Sequence, residues 1–150
     1  MKIIFLDIDG VLVIPQSFID RPKGQREKGH PSCIEALNRI TVATGAKIVV
    51  SSCWRLGTPG IELRELLASW GVTGKVIGKT PVHKITQSTT EFPRRESEIK
   101  EWLDGDRDVD AFVILDDDND VGYPCEHVRT NFEEGLTLPL ADEAIRILLK

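Results

Sequence analysis

Short apolar runs alternate along the chain with longer segments whose apolar residues recur at helical spacing. The runs Lys2 to Leu6, Lys47 to Val50 and Ala111 to Leu115 have the length of strands and are mostly apolar, which is typical of strands buried on both faces of a parallel sheet. Val76-Ile77 and His127 to Thr130 predict two shorter strands. Strands that alternate with helices predict an α/β fold with a mainly parallel sheet.

Helices are predicted between these strands and after the last of them. Ser32 and Glu35 form a capping-box pattern that predicts the start of the first helix, and Gly45 predicts its end. The stretch from Pro15 to His30 is too rich in proline, glycine and charge to predict a regular element. The apolar faces of the helices are Cys33, Leu37, Ile40 and Thr44; Leu63, Leu66, Leu67 and Trp70; Ile99, Trp102 and Leu103; and Ala141, Ala144, Ile145 and Leu148.

Length and composition narrow the class of protein. A chain of 150 residues without repeats or Gly/Ser linkers predicts a single domain over 1–150. No apolar run approaches the ~20 residues that cross a bilayer, and Asp7 interrupts the N-terminal run before a signal-peptide core forms. The cysteines Cys33, Cys53 and Cys125 are too widely spaced for a disulfide framework or zinc site, so a soluble cytoplasmic protein is expected. The net charge of -5 argues against wholesale wrapping of nucleic acid, but a local basic patch can still hold a phosphate-rich ligand.

Three of the predicted strands end in polar residues. Asp7 and Asp9 follow the first strand, Ser51 follows the second, and Asp116 and Asp117 follow the strand at 111–115. Ligands of parallel α/β sheets bind at the carboxyl ends of the strands, so neighbouring strands would gather these acids in one crevice. Two carboxylates ~4 Å apart repel by about 4 kcal/mol at an effective dielectric of 20. Such a group needs a cation, and hard oxygen ligands favour Mg²⁺ over zinc.

Acidic residues after a strand also serve as turn formers and helix caps, and a solvated loop explains 116–120 equally well. The segment DIDGVL is harder to explain in that way. Asp7 and Asp9 are separated by one apolar residue, so on an extended backbone their side chains point to the same side. Gly10 then allows the chain to turn.

These stretches resemble the motifs of the haloacid dehalogenase-like (HAD) superfamily. IIFLDIDGVLV is similar to the first motif, VVSSCWR to the second and VILDDDND to the fourth, while RRESEIKEWL offers a basic residue where the third is found. SSxWR, RxxEIxxWL, LDDxxD and GLT further resemble the small HAD domains found in or near RNA-repair proteins. The resemblance implies a three-layer α/β/α Rossmann-like core with a minimal cap or none.

The resemblance also implies catalytic roles. Asp7 would be the nucleophile that forms an aspartyl-phosphate, and Asp9 would protonate the leaving oxygen and later deprotonate the attacking water. The Ser51 hydroxyl would bind phosphoryl oxygens, and Arg95 would supply a fixed positive charge. The substrate-binding residues it implies are Ser52, Arg55 and Gly10. The magnesium ligands it implies are Asp7, the Asp9 carbonyl and Asp116, with Asp117 and Asp120 acting through water.

Two assignments stay open within this pattern. Many members of the superfamily have lysine at the third motif, and a planar guanidinium is not equivalent to a point charge. Arg94, Lys79, Lys84 and Lys100 are therefore alternatives to Arg95. The three consecutive acids at 116–118 also leave open whether the first or the second of them ligates the metal directly.

The connections between motifs bear on the substrate. Only about twenty residues separate Val13 from the helix at Ser32, so no cap-sized insertion is present there. An open site accepts a large phosphorylated substrate such as a nucleotide or a nucleic-acid end. The basic residues of the 15–30 stretch and Arg55 would attract further phosphates, and Trp54 would either pack in the core or stack on a base.

The leading hypothesis is a Mg²⁺-dependent phosphomonoester hydrolase. A phosphotransferase or mutase shares its chemistry, but an open site does not shield the reaction from water. A non-catalytic module of a repair system that binds Mg²⁺, phosphate or a partner protein is a further alternative. A receiver domain fits poorly, because its phosphorylated aspartate follows a central strand. Cys53 is interpreted as packing, and the sequence leaves the oligomeric state open.

Overall fold

The structure is a computed structural model that describes residues 1–20, 28–52, 58–82, 94–119 and 121–150. Strands and helices alternate along most of the chain. The elements are β1 (Lys2–Leu6), α1 (Pro15–Asp20), α2 (Pro31–Thr44), β2 (Lys47–Val50), α3 (Gly60–Ser69), β3 (Val76–Lys79), α4 (Arg94–Leu103), β4 (Ala111–Asp116), β5 (His127–Arg129) and α5 (Leu138–Leu148).

The strands form one five-stranded sheet in the order β3-β2-β1-β4-β5, and all four strand pairs are parallel. β1 lies in the centre, where Leu6 pairs with Val50 of β2 and with Leu115 of β4. The five strands predicted from the sequence correspond to β1 to β5 and are confirmed. Because β1, β2 and β4 are neighbours, the residues that follow them meet at one edge of the sheet.

Helices cover both faces of the sheet. Ile4 and Leu6 of β1 belong to the apolar core that includes buried residues of α2, α3 and α5. Ile3 and Phe5, which point to the opposite face, pack in the core formed with α4. This arrangement confirms the expected three-layer α/β/α architecture and explains why the central strand is apolar at every buried position.

Aromatic rings fill the core on the α4 side. Phe5 lies edge-to-face against Trp102 at 5.4 Å between ring centroids and against Phe112 at 5.8 Å. Phe112 in turn contacts Tyr123 at 5.3 Å. Edge-to-face pairs of this kind add about 0.5–1.5 kcal/mol beyond the area that they bury. These contacts fix α4 against the central strand, and with it Arg95 in the first turn of the helix.

Two expectations about the segment before α2 are wrong. Pro15–Asp20 is helical, because a proline is tolerated at the first helical position and the Ser17 hydroxyl accepts the Ile14 N–H at 3.1 Å. α2 is capped by His30, whose ring accepts the Ser32 N–H, so Ser32 lies inside the helix rather than at its cap. The predicted end at Gly45 is confirmed, with a left-handed φ of 70°.

Among the residues that the structure describes, no helix is long and apolar enough to cross a membrane.

The different burial of two α2 residues predicts that their substitution affects stability differently. Leu37 is fully buried and Val42 is 81% exposed. Leu37→Ala is expected to lower the free energy of unfolding by about 2–5 kcal/mol, because it leaves a cavity in the core. Val42→Ala should change it by less than about 0.5 kcal/mol. Urea unfolding measures both, and equal losses would contradict the assignment of α2's buried face.

Candidate active site

Three carboxylates meet at the carboxyl edge of the sheet. Asp7 follows β1, Asp116 ends β4, and Asp117 comes next in the chain. One carboxylate oxygen from each lies within 4.8 Å of the others. Asp7 is 7% exposed and Asp116 is 2% exposed. We call Asp7, Asp116 and Asp117 the acidic group. The structure therefore brings together three of the four acids that the sequence placed at this edge.

The hydrogen bonds of the acidic group leave one buried oxygen to a ligand. Asp7 Oδ1 accepts the Ile8 N–H at 2.9 Å, and Asp116 Oδ1 accepts the Asp118 N–H at 3.0 Å. Asp116 Oδ2 is buried and accepts no hydrogen bond from the described residues, although Arg95 Nε lies 3.2 Å away. Buried polar atoms are normally satisfied, so this oxygen fits a cation that the hard oxygen donors would bind.

Burial and mutual repulsion disfavour the ionised form of these acids. Burial, followed by the charge of Asp116, raises the pKa of Asp7 to about 8, against the lowering effect of Arg95. Burial also raises the pKa of Asp116, while the Asp118 N–H and Arg95 oppose that rise. A bound cation would reverse this balance, since it stabilises the carboxylates in their charged form.

Asp9 does not join the acidic group. Its side chain is exposed. The chain begins to turn immediately before it, because the Ile8 carbonyl accepts the N–H groups of Val11, Leu12 and Val13. The expected roles of Asp9, as the proton-transfer residue and as a metal ligand through its carbonyl, stay predictions.

Gly10 allows the turn after β1 to lie against the acidic group. Its φ is +80°, in the left-handed region, and a Cβ at this position would lie 2.4 Å from Asp117 Oδ2. The Thr130 hydroxyl donates to the Gly10 carbonyl at 2.7 Å. A side chain here would displace Asp117, so glycine is required by close approach as well as by backbone conformation. The substrate-binding role expected for Gly10 stays a prediction.

Arg95 joins the second and third motifs to the acidic group. Ser51 is buried directly after β2, and its N–H donates to the Leu6 carbonyl at 2.8 Å. Arg95, in the first turn of α4, donates to the Ser51 carbonyl and lies 3.4 Å from the Ser51 hydroxyl. Its Nε is 3.2 Å from Asp116 Oδ2. The side chain is 19% exposed, so this positive charge is held in place rather than solvated.

The structure describes the side chains of two of the four alternatives to Arg95. Lys100 is exposed and pairs with Asp104 at 2.6 Å on the surface of α4. Lys79 is exposed and donates to the Thr58 carbonyl at 3.3 Å. Ser52 is fully buried beside Ser51. The side chain of Arg94 and the residues Cys53, Trp54, Arg55, Lys84 and Asp120 lie outside the described residues.

Sequence reasoning missed the contribution of β5 to this site. The His127 ring nitrogen Nε2 lies 3.1 Å from the Asp116 carbonyl, and since a carbonyl only accepts, this nitrogen donates. Arg129 Nε donates to the Asp117 carbonyl at 3.2 Å, and the Thr130 N–H donates to the Asp116 carbonyl at 3.1 Å. Residues in β5 and directly after it thus fix the backbone that carries the acids. The polar residues of the predicted 127–130 strand, which follows β4 along the chain, were the sequence signal that could have indicated this contribution.

The comparison with protein families agrees with this geometry. The family model for the HAD domain in Swiss Army Knife RNA repair proteins matches residues 3–141, which include residues of all five strands and the acidic group. No curated protein and no solved structure matches the chain. The parallel sheet, the acids at the ends of its first and fourth strands and the match over most of the sequence show that this chain belongs to the family of HAD domains in Swiss Army Knife RNA repair proteins.

Proposed function

We propose that this domain is a Mg²⁺-dependent phosphomonoester hydrolase that removes a terminal phosphate from a nucleotide or nucleic acid. The observation that carries the proposal is the buried acidic group, in which Asp116 Oδ2 lies without a hydrogen bond from the described residues while Arg95 stands 3.2 Å away. Membership of the HAD family supports phosphatase chemistry, and the words RNA repair in the family description support a phosphorylated nucleic-acid substrate.

The acidic group and the Asp9 carbonyl would hold the metal ion. All of these ligands are hard oxygens on short loops, as Mg²⁺ requires. When bound, Mg²⁺ neutralises phosphoryl charge and holds the phosphate beside the carboxylates. Asp116 would ligate directly, because its Oδ2 is buried without a hydrogen bond from the described residues and the carboxylate lies beside the other two acids. Asp117 would act directly or through water.

The reaction would proceed in two steps through Asp7. An Asp7 oxygen attacks phosphorus and forms an aspartyl-phosphate, while the bond to the leaving oxygen breaks and Asp9 donates a proton to that oxygen. Water then attacks the same phosphorus, Asp9 takes its proton, and phosphate leaves with Asp7 restored. The Ile8 N–H on Asp7 Oδ1 would orient the carboxylate for both steps.

Positive and polar groups around the acids would bind the phosphoryl oxygens. Arg95 lies 3.2 Å from Asp116 Oδ2 and 3.4 Å from the Ser51 hydroxyl, so we assign this role to Arg95 and Ser51. Ser52 and Arg55 are proposed as further substrate contacts. A cytoplasmic location and a single domain over 1–150 belong to the same proposal. The two cysteines that the structure describes, Cys33 and Cys125, are both unbridged, as a reducing compartment favours.

One observation favours a second candidate function. The Asp9 carboxylate is exposed and lies outside the acidic group, and the predicted chemistry needs it as the acid and base. A module that binds Mg²⁺ and a phosphorylated partner without turnover needs the acidic group alone. Phosphate release separates the two candidates.

Asp7→Asn is expected to lower Mg²⁺-dependent phosphate release from 5′- or 3′-phosphorylated oligonucleotides by about 10³-fold or more, because an amide is not a nucleophile. Asp118→Asn is the matched control, since its side chain is exposed in the same loop, accepts the Asn119 N–H and lies outside the acidic group. It should retain activity within about threefold. Release that survives Asp7→Asn would reject Asp7 as the nucleophile, and a wild-type protein that binds Mg²⁺ without release would favour the module.

The raised pKa of Asp7 predicts how the metal-free protein responds to pH. An acid whose pKa is higher in the folded protein than in the unfolded chain binds its proton more tightly when folded. Its favourable contribution is complete below about pH 4 and is lost as the pH rises towards the folded pKa of about 8. With EDTA present, raising the pH from 5 to 8 should lower the free energy of unfolding by about 3–4 kcal/mol through this group.

Asp7→Asn should remove most of that pH dependence and stabilise the metal-free protein at pH 8. Urea unfolding at several pH values, with and without Mg²⁺, measures both effects. Mg²⁺ should stabilise the wild type most at pH 8, where its ligands are ionised. An equal pH slope in wild type and Asp7→Asn would contradict the placement of a buried carboxyl at this position.

Gly10→Ala is expected to weaken both Mg²⁺ binding and phosphate release by tenfold or more, since its Cβ would lie 2.4 Å from Asp117 Oδ2. Gly45→Ala is the matched control, because Gly45 also has a left-handed φ of 70° but no atom within 4 Å of the added Cβ. Both variants should lose about 1–2 kcal/mol of stability from backbone strain. Calorimetric Mg²⁺ titration separates them, and similar Mg²⁺ affinity in both would show that the contact with Asp117 is unimportant.

A further inference from the structure

A cavity of about 370 Å³ lies between α1, the start of α2 and the end of α3. None of its lining residues belongs to the acidic group, and the hydrolase proposed above does not use it. The lining residues are Ser17, Lys28, Gly29, His30, Pro31, Ser69 and Trp70.

The turn after β1 connects the cavity with the acidic group. The His30 N–H donates to the Leu12 carbonyl at 2.7 Å, and the Gly10 N–H donates to the Val13 carbonyl at 2.8 Å. The turn after β1 therefore contacts the acidic group at Gly10 and the cavity wall at Leu12. Asp9 and Leu12 are three residues apart, so at most about 11 Å of chain separates their Cα atoms. One short turn thus connects the acidic group with the cavity wall.

One wall of the cavity is aromatic. Trp70 is partly buried and packs against the core, and with Pro31 it supplies the apolar part of the lining. Gly29 passes close to the ring, because a Cβ there would lie 3.1 Å from Trp70 Cε3 and 2.7 Å from Ile34 Cδ1. The absence of a side chain at Gly29 lets the backbone approach the indole without a clash.

Two polar residues offer hydrogen-bond donors. Ser17 is 5% exposed, and its hydroxyl oxygen accepts the Ile14 N–H at 3.1 Å, so the hydroxyl proton remains to be donated. His30 Nδ1 accepts the Ser32 N–H at 3.3 Å, which places the proton of the neutral ring on Nε2. The polar lining can therefore recognise acceptor atoms.

The cavity lining also offers a hydrogen-bond acceptor and a positive charge. The Ser69 hydroxyl donates its proton to the Leu66 carbonyl at 2.6 Å, so its oxygen is left with acceptor capacity. Lys28 is exposed and brings a positive charge to the cavity. The lining thus combines an aromatic face, donors, an acceptor and a cation in one space.

We propose that this cavity binds a nucleobase of the substrate, stacked on Trp70 with its edge towards the hydroxyl and imidazole groups and an adjoining phosphate on Lys28. The proposal rests on the proposed function only in placing the reacting phosphate at Asp7. A base has a planar apolar face and an edge with both donors and acceptors, and it stacks readily on aromatic side chains. The volume is within the range of pockets that bind small ligands.

Other ligand classes match the lining less well. An apolar side chain of a partner protein would offer no acceptor to the Ser17 hydroxyl proton or the His30 Nε2–H, and leaving buried donors without acceptors is costly. A lone inorganic anion would not use the indole ring. The nucleobase uses both halves of the lining, and the cation matches the phosphate that accompanies every nucleotide.

The test is equilibrium binding without Mg²⁺, so that turnover plays no part. Calorimetry compares adenosine 5′-monophosphate and a 5′-phosphorylated tetraribonucleotide with ribose 5-phosphate, which lacks the base. Trp70→Leu should weaken binding of the two base-containing ligands about tenfold and leave ribose 5-phosphate unchanged. Trp70→Phe keeps an aromatic face and should stay within about threefold of wild type. Tighter binding of the tetraribonucleotide would identify a nucleic-acid end as the source of the base.

Lys28→Ala should weaken nucleotide binding, while Lys75→Ala, at an exposed lysine before β3, should not. If Trp70→Leu fails to fold, Trp70→Phe still tests the site, because nucleotide-induced quenching of tryptophan fluorescence should fall while calorimetric affinity is retained. Equal affinity for ribose 5-phosphate and the nucleotides, or unchanged binding in Trp70→Leu, would overturn the proposal. Nucleotide binding without phosphate release would reject the hydrolase and leave the cavity assignment standing.

Discussion

Two buried carboxylates at adjacent strand ends are the constraint on which this site depends. β1 and β4 pair in register at Leu6 and Leu115, so Asp7 and Asp116, the next residue of each strand, are necessarily neighbours. Carboxylates ~4 Å apart repel by about 4 kcal/mol at an effective dielectric of 20. With Asp117, the group carries three negative charges when ionised, and Arg95 offsets one of them. The remaining two match the charge of a divalent cation, so the same arrangement that destabilises the metal-free fold would favour the proposed binding of Mg²⁺.

The acids keep this unfavourable geometry because their backbone is fixed independently of their charge. His127, Arg129 and the Thr130 N–H all donate to the carbonyls of Asp116 and Asp117, and none of these contacts uses a carboxylate oxygen. The carboxylates are therefore held near one another whether or not they are ionised. Fixed polar groups of this kind need little reorganisation when a charged ligand arrives, which is the main source of electrostatic stabilisation in active sites.

The sequence predicted those features that depend on one element at a time. Apolar runs located the strands, and the polar residues after them located the site, because both follow from burial along a single strand. The helix at Pro15–Asp20 was missed because its composition resembles a loop, and its start depends on the Ser17 contact with Ile14. The role of β5 and the cavity beside Trp70 were not predictable, since each depends on how separate elements pack together.

The turn at 10–14 connects the acidic group with the cavity beside Trp70. It is short and locked by its own hydrogen bonds to the Ile8 and Val13 carbonyls, and it carries Gly10 at the acidic group and Leu12 at the cavity. In the proposed complex, the distance between the reacting phosphate and the stacked base is therefore set by a rigid turn. A cap that closes over its substrate orders both partners at a cost in entropy, whereas a preformed pair of sites avoids most of that cost. Selection of a nucleotide by an open site would then depend on this fixed spacing.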